Sequence, residues 1–246
     1  MGKDWKLDIV FSDSVAIFRG HVGHNKAHSH WASQITVALD GIVEFETASG
    51  LQRSDAVYFS SKTEHRLISG FICSIYFDPM ADSVLKTLNK DAPHGWKSLS
   101  HAEITQKLGP ISASTNLGTL LNSDLLRPLD IASSSDDRLH KVIHEIKAQL
   151  GDGMDLDRDS LAKIADLSPT RFSHWFVERT GIPLRSYKKW LKLRVAIDAM
   201  LEGKSPVDAA LMAGFSDQAH MSRAISDSFG LTYLDARKAW EHFSQK

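Results

Sequence analysis

Apolar and polar positions alternate with two different periods along this chain, and the change of period divides it. Up to residue 78 the apolar residues come in short runs rich in β-branched and aromatic side chains: Ile9-Val10-Phe11, Val15 to Phe18, Gln34 to Leu39, Ile42 to Phe45, Ala56 to Phe59, Arg66 to Ile68 and Phe71 to Phe77. Asp40-Gly41, between two of them, is a strong hairpin signal, and Ser49-Gly50 marks another turn. Short, closely spaced strands predict an antiparallel sandwich or barrel. From Pro79 the period becomes helical, with Val84, Leu85 and Leu88, then Ile104 and Leu108 ended by Gly109-Pro110, then Leu117, Leu120, Leu121, Leu125 and Leu126. Ile131 to Asp136 is a Ser-rich linker by composition. Leu139, Ile143, Ile146 and Leu150 predict a helix from Asp137 that stops at Gly151-Asp152-Gly153. Leu234, Lys238 and Trp240 belong to a last helix.

Between Asp157 and Arg237 one small pattern occurs twice. Leu161-Ala162-Lys163-Ile164-Ala165-Asp166-Leu167-Ser168 is matched by Ala209-Ala210-Leu211-Met212-Ala213-Gly214-Phe215-Ser216. In each copy two Ala residues three apart precede a turn, an apolar residue and a Ser. Each Ser is expected to open a second helix that stops at a Gly, Gly181 or Gly230. Small residues on the first helix let the second cross closely, which is the helix-turn-helix signature. Ser168 before Pro169 reads as an N-cap with a first-turn Pro. Gly214 suits a left-handed turn residue, and Asp166 tolerates the same conformation. A long helix over Leu184 to Leu201 joins the copies and is apolar on two sides: Tyr187, Leu191, Val195 and Ala199 on one, Trp190, Leu193, Ile197 and Met200 on the other.

A length of 246 residues suits two domains, and a 42% hydrophobic content suffices to bury their cores. No apolar run reaches membrane-spanning length, and Met1-Gly2-Lys3-Asp4-Trp5-Lys6 leads into no signal-peptide core. The single cysteine, Cys73, excludes an intramolecular disulfide and suits a cytoplasmic location. A net charge of −1 argues against indiscriminate nucleic-acid binding. Yet Arg171, Arg179, Arg185, Lys188, Lys189, Lys192 and Arg194 face only Glu178 between Pro169 and Val195. Such a local basic stripe is what phosphate contact requires.

Two resemblances follow from these residues. Leu167-Ser168-Pro169-Thr170-Arg171-Phe172 with Phe176 and Gly181, then Tyr187 with Trp190 to Arg194 and Ala196, then Ala213 to His220, Ser222-Arg223 and Phe229-Gly230-Leu231-Thr232 resemble the DNA-binding domain of AraC/XylS-type bacterial transcriptional regulators. The chain departs from that pattern at Asp227, Ser228, Tyr233 and Ala236. His28-Ser29-His30, Gln34, Asp40-Gly41 and His65 resemble a cupin, a small jelly-roll barrel whose two motifs bind one metal. Gln34 stands where a cupin usually has Glu, and Ser60 and Lys62 where it prefers Pro and Gly. The resemblance implies that His28, His30, Gln34 and His65 converge, and a strand through His28 would set His30 and Gln34 on one face. Three imidazoles and an amide oxygen suit divalent Zn, Ni, Cu, Mn or Fe. The same residues would also serve as a polar effector pocket or a hydrogen-bonded core. His21 and His24 read as loop residues and Cys73 as buried packing.

The expected fold is therefore α+β and multidomain. It comprises a cupin-like antiparallel barrel over 1–80, a helical extension over 81–130 that offers a dimer contact, a linker over 131–136 and an all-α double helix-turn-helix domain over 137–246. The expected function is sequence-specific transcriptional regulation under control of a small molecule or metal. The alternative is a cupin metalloenzyme with a helical appendage. The regulator reading makes the chain no enzyme and gives it double-stranded DNA, an effector, RNA polymerase and a second copy of itself as partners. Thr170, Arg171, Ser173 and His174 on one helix, and Gln218, Ala219, Ser222 and Arg223 on the other, are the candidate base readers. Arg179, Arg185, Lys188 and Lys189 are the candidate phosphate contacts.

Overall fold

The computed structural model describes residues 8–12, 15–23, 25–80, 88, 91–121, 137–151 and 157–230. Val84, Leu85, Leu125 and Leu126, the linker at 131–136, His24 and the last helix with Leu234, Lys238 and Trp240 lie outside them. The chain forms two compact units: Met1–Leu129 together with Asp227–Lys246, and Asp130–Ser226.

The first unit is built on an antiparallel sheet of strands β1 (Asp8–Phe11), β2 (Val15–Gly23), β3 (Ser33–Thr47), β4 (Gly50–Ser54), β5 (Ala56–Phe59), β6 (Arg66–Phe77) and β7 (Trp96–Leu99). The order is β1-β2-β6-β3-β5-β7, with β4 added to β3. Asp40-Gly41 is not a hairpin. The runs on either side of it both pair with β6, so β3 continues through them with register shifts between Ala38 and Phe45. Gly41 has φ 66°, a left-handed conformation that serves a bulge as well as a two-residue turn. For the same reason Arg66–Ile68 and Phe71–Phe77 are one strand, with Gly70 opposite the bulged segment. His21 lies within β2 opposite Phe71 rather than in a loop. Strand β7 occupies a stretch where helical spacing was expected.

Alternation along β3 sorts its side chains into two sets. Ile35 and Val37 join Ile17, Tyr58, Ile75 and Phe77 in one buried cluster. Helix α1 (His101–Leu108) adds Ile104 and Leu108 to it, and α2 (Leu117–Leu120) adds Leu117 and Leu120. These four side chains are spent on the unit's own core. Gln34, Thr36 and Ala38 point the other way, toward the cluster of Val43, Phe45, Val57, Phe59 and Ile72.

The second unit contains α3 (Asp137–Gly151), α4 (Arg158–Ile164), α5 (Pro169–Thr180), α6 (Leu184–Leu201), α7 (Pro206–Met212) and most of α8 (Gln218–Phe229). The repeat is a structural repeat. Leu167 N–H donates to Ala162 O and Phe215 N–H to Ala210 O, each at 2.9 Å. Asp166 N–H donates to Lys163 O at 3.1 Å and Gly214 N–H to Leu211 O at 3.0 Å. Both turns pass through a left-handed residue, Asp166 at φ 52° and Gly214 at φ 71°. This is the Schellman closure of a helix C-terminus, made once in each copy. Ala162, Ala165, Ala210 and Ala213 are all buried. Helix α6 buries Tyr187, Trp190, Leu191, Leu193, Ala196, Ile197, Ala199 and Met200, which wrap two of its sides.

The copies differ where the second helix begins. Ser168 is the N-cap of α5, without a side-chain cap bond. In the second copy Asp217 rather than Ser216 does the capping, its Oδ1 accepting from His220 N–H at 2.7 Å. The second turn is thus one residue longer.

Candidate sensor site and nucleic-acid interface

His28 and His30 do not sit on the strand that carries Gln34. β3 begins at Ser33, and a bend at Trp31-Ala32 intervenes. His28 is instead held by an isolated antiparallel bridge to His65, with both N–H···O bonds at 3.0 Å. These local pairings bring the rings together. Centroids lie 4.5 Å apart for His28 and His65, 5.3 Å for His30 and His65, and 5.7 Å for His28 and His30. One nitrogen from each lies within 4.8 Å of the others. His65 also stacks on Phe59 at 4.0 Å.

Backbone carbonyls fix the tautomers. His28 Nδ1 lies 3.0 Å from Lys26 O, His30 Nδ1 2.7 Å from Ala32 O and His65 Nδ1 2.9 Å from Thr63 O. A carbonyl only accepts, so each Nδ1 carries the proton and each Nε2 is left with a lone pair. Two of those lone pairs meet Gln34 Oε1, His30 Nε2 at 3.0 Å and His65 Nε2 at 3.1 Å. The Gln34 amide nitrogen donates away from the rings, to Thr36 Oγ1 at 2.7 Å and Ser74 Oγ at 3.3 Å. The third lone pair, His28 Nε2, is buried without any hydrogen-bond partner among the described residues. Four acceptors therefore share one buried spot with no proton donor, which is the donor set of a cation site. Burial disfavours an imidazolium as the missing donor. It lowers His28 to about 4, pushes His65 well below the ordinary histidine value and lowers His30.

Thr36 and Ser74, which pair across β3 and β6 and bond each other at 2.9 Å, hold the Gln34 amide. Their trace in the sequence is the polar alternation of Gln34 and Thr36 inside the otherwise apolar run from Gln34 to Leu39. Phe229 and Gly230, which belong to the same unit, close over the rings. Phe229 stands 6.5 Å from His30 and 5.6 Å from Tyr76 by ring centroids. Gly230 O accepts from Lys26 N–H at 3.0 Å.

In the second unit each copy presents one helix, α5 or α8, beyond its turn. Residues 161–239 match the family model described as a helix-turn-helix domain. That model is the AraC-type helix-turn-helix domain. The chain is similar in fold to ToxT from Vibrio cholerae, with a TM-score of 0.52 at 9% identity over 94% of this chain and 98% of that one. ToxT of Vibrio cholerae bound to an unsaturated fatty acid gives a TM-score of 0.53 at 11% identity, covering 94% and 95% of the two chains. An AraC-type regulator from Chromobacterium violaceum aligns over 46% of this chain and 97% of its own at 22% identity, with a TM-score of 0.40.

Within the AraC-type domain, Phe172 and Phe176 of α5 and Met221 and Ile225 of α8 are buried, while Trp175 is half-buried. Thr170, Arg171 and His174 are exposed on α5, and Ala219 and Arg223 on α8; Gln218 is half-buried. Ser173 and Ser222 occupy matching places and turn their hydroxyls back onto their own helices, donating to Pro169 O at 3.2 Å and Gln218 O at 2.8 Å. Arg179 and Arg185 are exposed, and Lys188 and Lys189 are half-buried on α6. Among the described residues no helix is long and apolar enough to cross a membrane.

Proposed function

We propose that this protein is a transcriptional regulator that binds double-stranded DNA through α5 and α8 and responds to a divalent transition metal held by His28, His30, His65 and Gln34. The observation that carries the sensor half is the meeting of four buried acceptors with no donor. The ion would supply the positive charge that the Nε2 lone pairs and the Gln34 oxygen lack; the protein supplies the fixed tautomers and buried surroundings. Zn, Ni, Cu, Mn and Fe all accept such a set. Arg171 and His174 on α5, and Gln218 and Arg223 on α8, are best placed to read base edges. Arg179, Arg185, Lys188 and Lys189 supply phosphate contacts that position the duplex. Ser173 and Ser222 read bases only if they release their own helix carbonyls.

A second reading has one observation behind it. Turning the Gln34 amide over would give His30 and His65 an N–H donor each, leaving a polar pocket for an organic effector. ToxT, which shares the fold, has been seen with an unsaturated fatty acid. His28 Nε2 would still lack a donor, so the metal reading accounts for more of the site. The helix-turn-helix domain favours regulation over catalysis. The deciding experiment measures metal content of the purified full chain and then footprints genomic DNA with and without chelator. A bound ion whose removal changes occupancy supports the proposal. An ion-free protein with chelator-independent footprints favours the organic effector.

A further inference from the structure

The turn of the second copy receives a side chain from the connecting helix. Lys192 of α6 is half-buried, and its Nζ donates to Gly214 O at 2.9 Å. Its Cε and Nζ also lie 3.5 Å from the point where a Cβ on Gly214 would stand. Gly214 N–H is already tied to Leu211 O, so both polar groups of this left-handed residue are engaged. The turn begins at the C-terminal end of α7, where exposed carbonyls gather partial negative charge and an ammonium is favoured. Gly214 is followed at once by Phe215, which is buried and packs edge-on against His220 at 5.2 Å. The course of the chain through Gly214 thus sets where α8 starts. In the sequence Lys192 belongs to the basic stripe that points to phosphates; in the structure its charge is turned inward.

We propose that Lys192 is a positioning residue for base recognition by α8: it anchors the turn to α6 and fixes the register of the second reading helix, without contacting DNA. This rests on the DNA-binding reading of the domain. The two roles differ in their salt signature. A lysine on a phosphate releases about one counterion, so its loss flattens the salt dependence by about 0.9 in the log–log slope. A positioning lysine lowers affinity at every salt concentration and leaves the slope alone.

The test uses the full chain and a duplex recovered by footprinting, with binding followed by fluorescence anisotropy across a salt series. Lys192→Met, which keeps the aliphatic stem, should bind about tenfold more weakly, the order expected for loss of one charge-assisted hydrogen bond. Its slope should equal that of the wild type, whereas Lys189→Ala should flatten it. Across single-base variants, Lys192→Met should lose discrimination at the positions that Gln218→Ala also relaxes, and keep it where Arg171→Ala acts. A flattened slope, an unchanged affinity, or a uniform loss over all positions would overturn the proposal. If Lys192→Met fails to fold by circular dichroism, Lys192→Gln, which keeps a neutral donor, carries the same comparison of slopes. Failure of the DNA-binding reading itself would look different, because the wild type would then bind no duplex saturably.

Discussion

His65 Nε2 lies 3.1 Å from Gln34 Oε1, and with the His65 proton committed to Thr63 O neither atom has a hydrogen to share. A cation between them removes the conflict. Replacing the amide by a carboxylate should therefore strengthen the site. Gln34→Glu is expected to tighten zinc binding at least tenfold at pH 7.5, since a divalent ion gains an anionic ligand. Gln34→Leu should weaken it. Titration against a chromophoric competitor reads both, and equal affinities in the two variants would remove Gln34 from the ligand set.

The buried imidazoles also set a pH dependence in the metal-free protein. Unfolded histidines take up protons near pH 6.5, whereas burial lowers His28 to about 4 in the fold and depresses His30 and His65. Below about pH 6.5 the unfolded chain binds protons that the folded chain refuses, so stability falls as pH drops toward 4. Above that range these groups add no slope. Melting temperatures at pH 7.5, 6 and 5 should decrease in that order, and the decrease should be smaller in His28→Gln. An equal decrease in both proteins would contradict the assignment.

Arg223 is exposed on α8 and Lys189 lies on α6, so the two should fail differently. Arg223→Ala should cost about 1–3 kcal/mol and relax preference at one base position. Lys189→Ala should weaken all sequences alike. A binding panel of single-base variants separates them. A uniform loss for Arg223→Ala would make it a phosphate contact.

Two glycines separate backbone strain from crowding. Gly214 has φ 71°, and a Cβ there would meet only Lys192 at 3.5 Å, an ordinary contact. Gly214→Ala should therefore cost about 1–2 kcal/mol of left-handed strain alone. Gly230 has φ 65°, and its Cβ would fall 2.5 Å from Lys26 O and 2.6 Å from His28 Nδ1. Gly230→Ala should cost more than Gly214→Ala and should also disturb the imidazole cluster. Urea unfolding of both variants, with zinc affinity as the second readout, checks this. Equal costs and intact zinc binding would show that the chain shifts freely at Gly230.

The helical unit was legible because its signals are local. Paired Ala residues, a turn residue that tolerates positive φ and two apolar stripes fixed α4 to α7, and α6 runs over Leu184–Leu201 as the spacing predicts. What escaped depends on pairing across the chain. Asp40-Gly41 carries the same residues whether it reverses a strand or bulges it, and only the partner strand β6 decides. Trp96–Leu99 pairs with β5 despite its unremarkable pattern. Alternation along a strand did not bring His28 and His30 to Gln34; a bend and the bridge to His65 did. Lys192 and Lys189 look alike in sequence, and only the packing of α6 against the second turn shows that Lys192 donates to Gly214 O.

Zinc binding by the purified full chain, measured by equilibrium dialysis beside His65→Ala, tests the central claim most directly. The account predicts about one tightly held ion per chain in the wild type and none in the variant, with both proteins folded, since loss of one imidazole from a three-histidine set removes the closed site. Wild-type protein that takes up no more zinc than His65→Ala would contradict it.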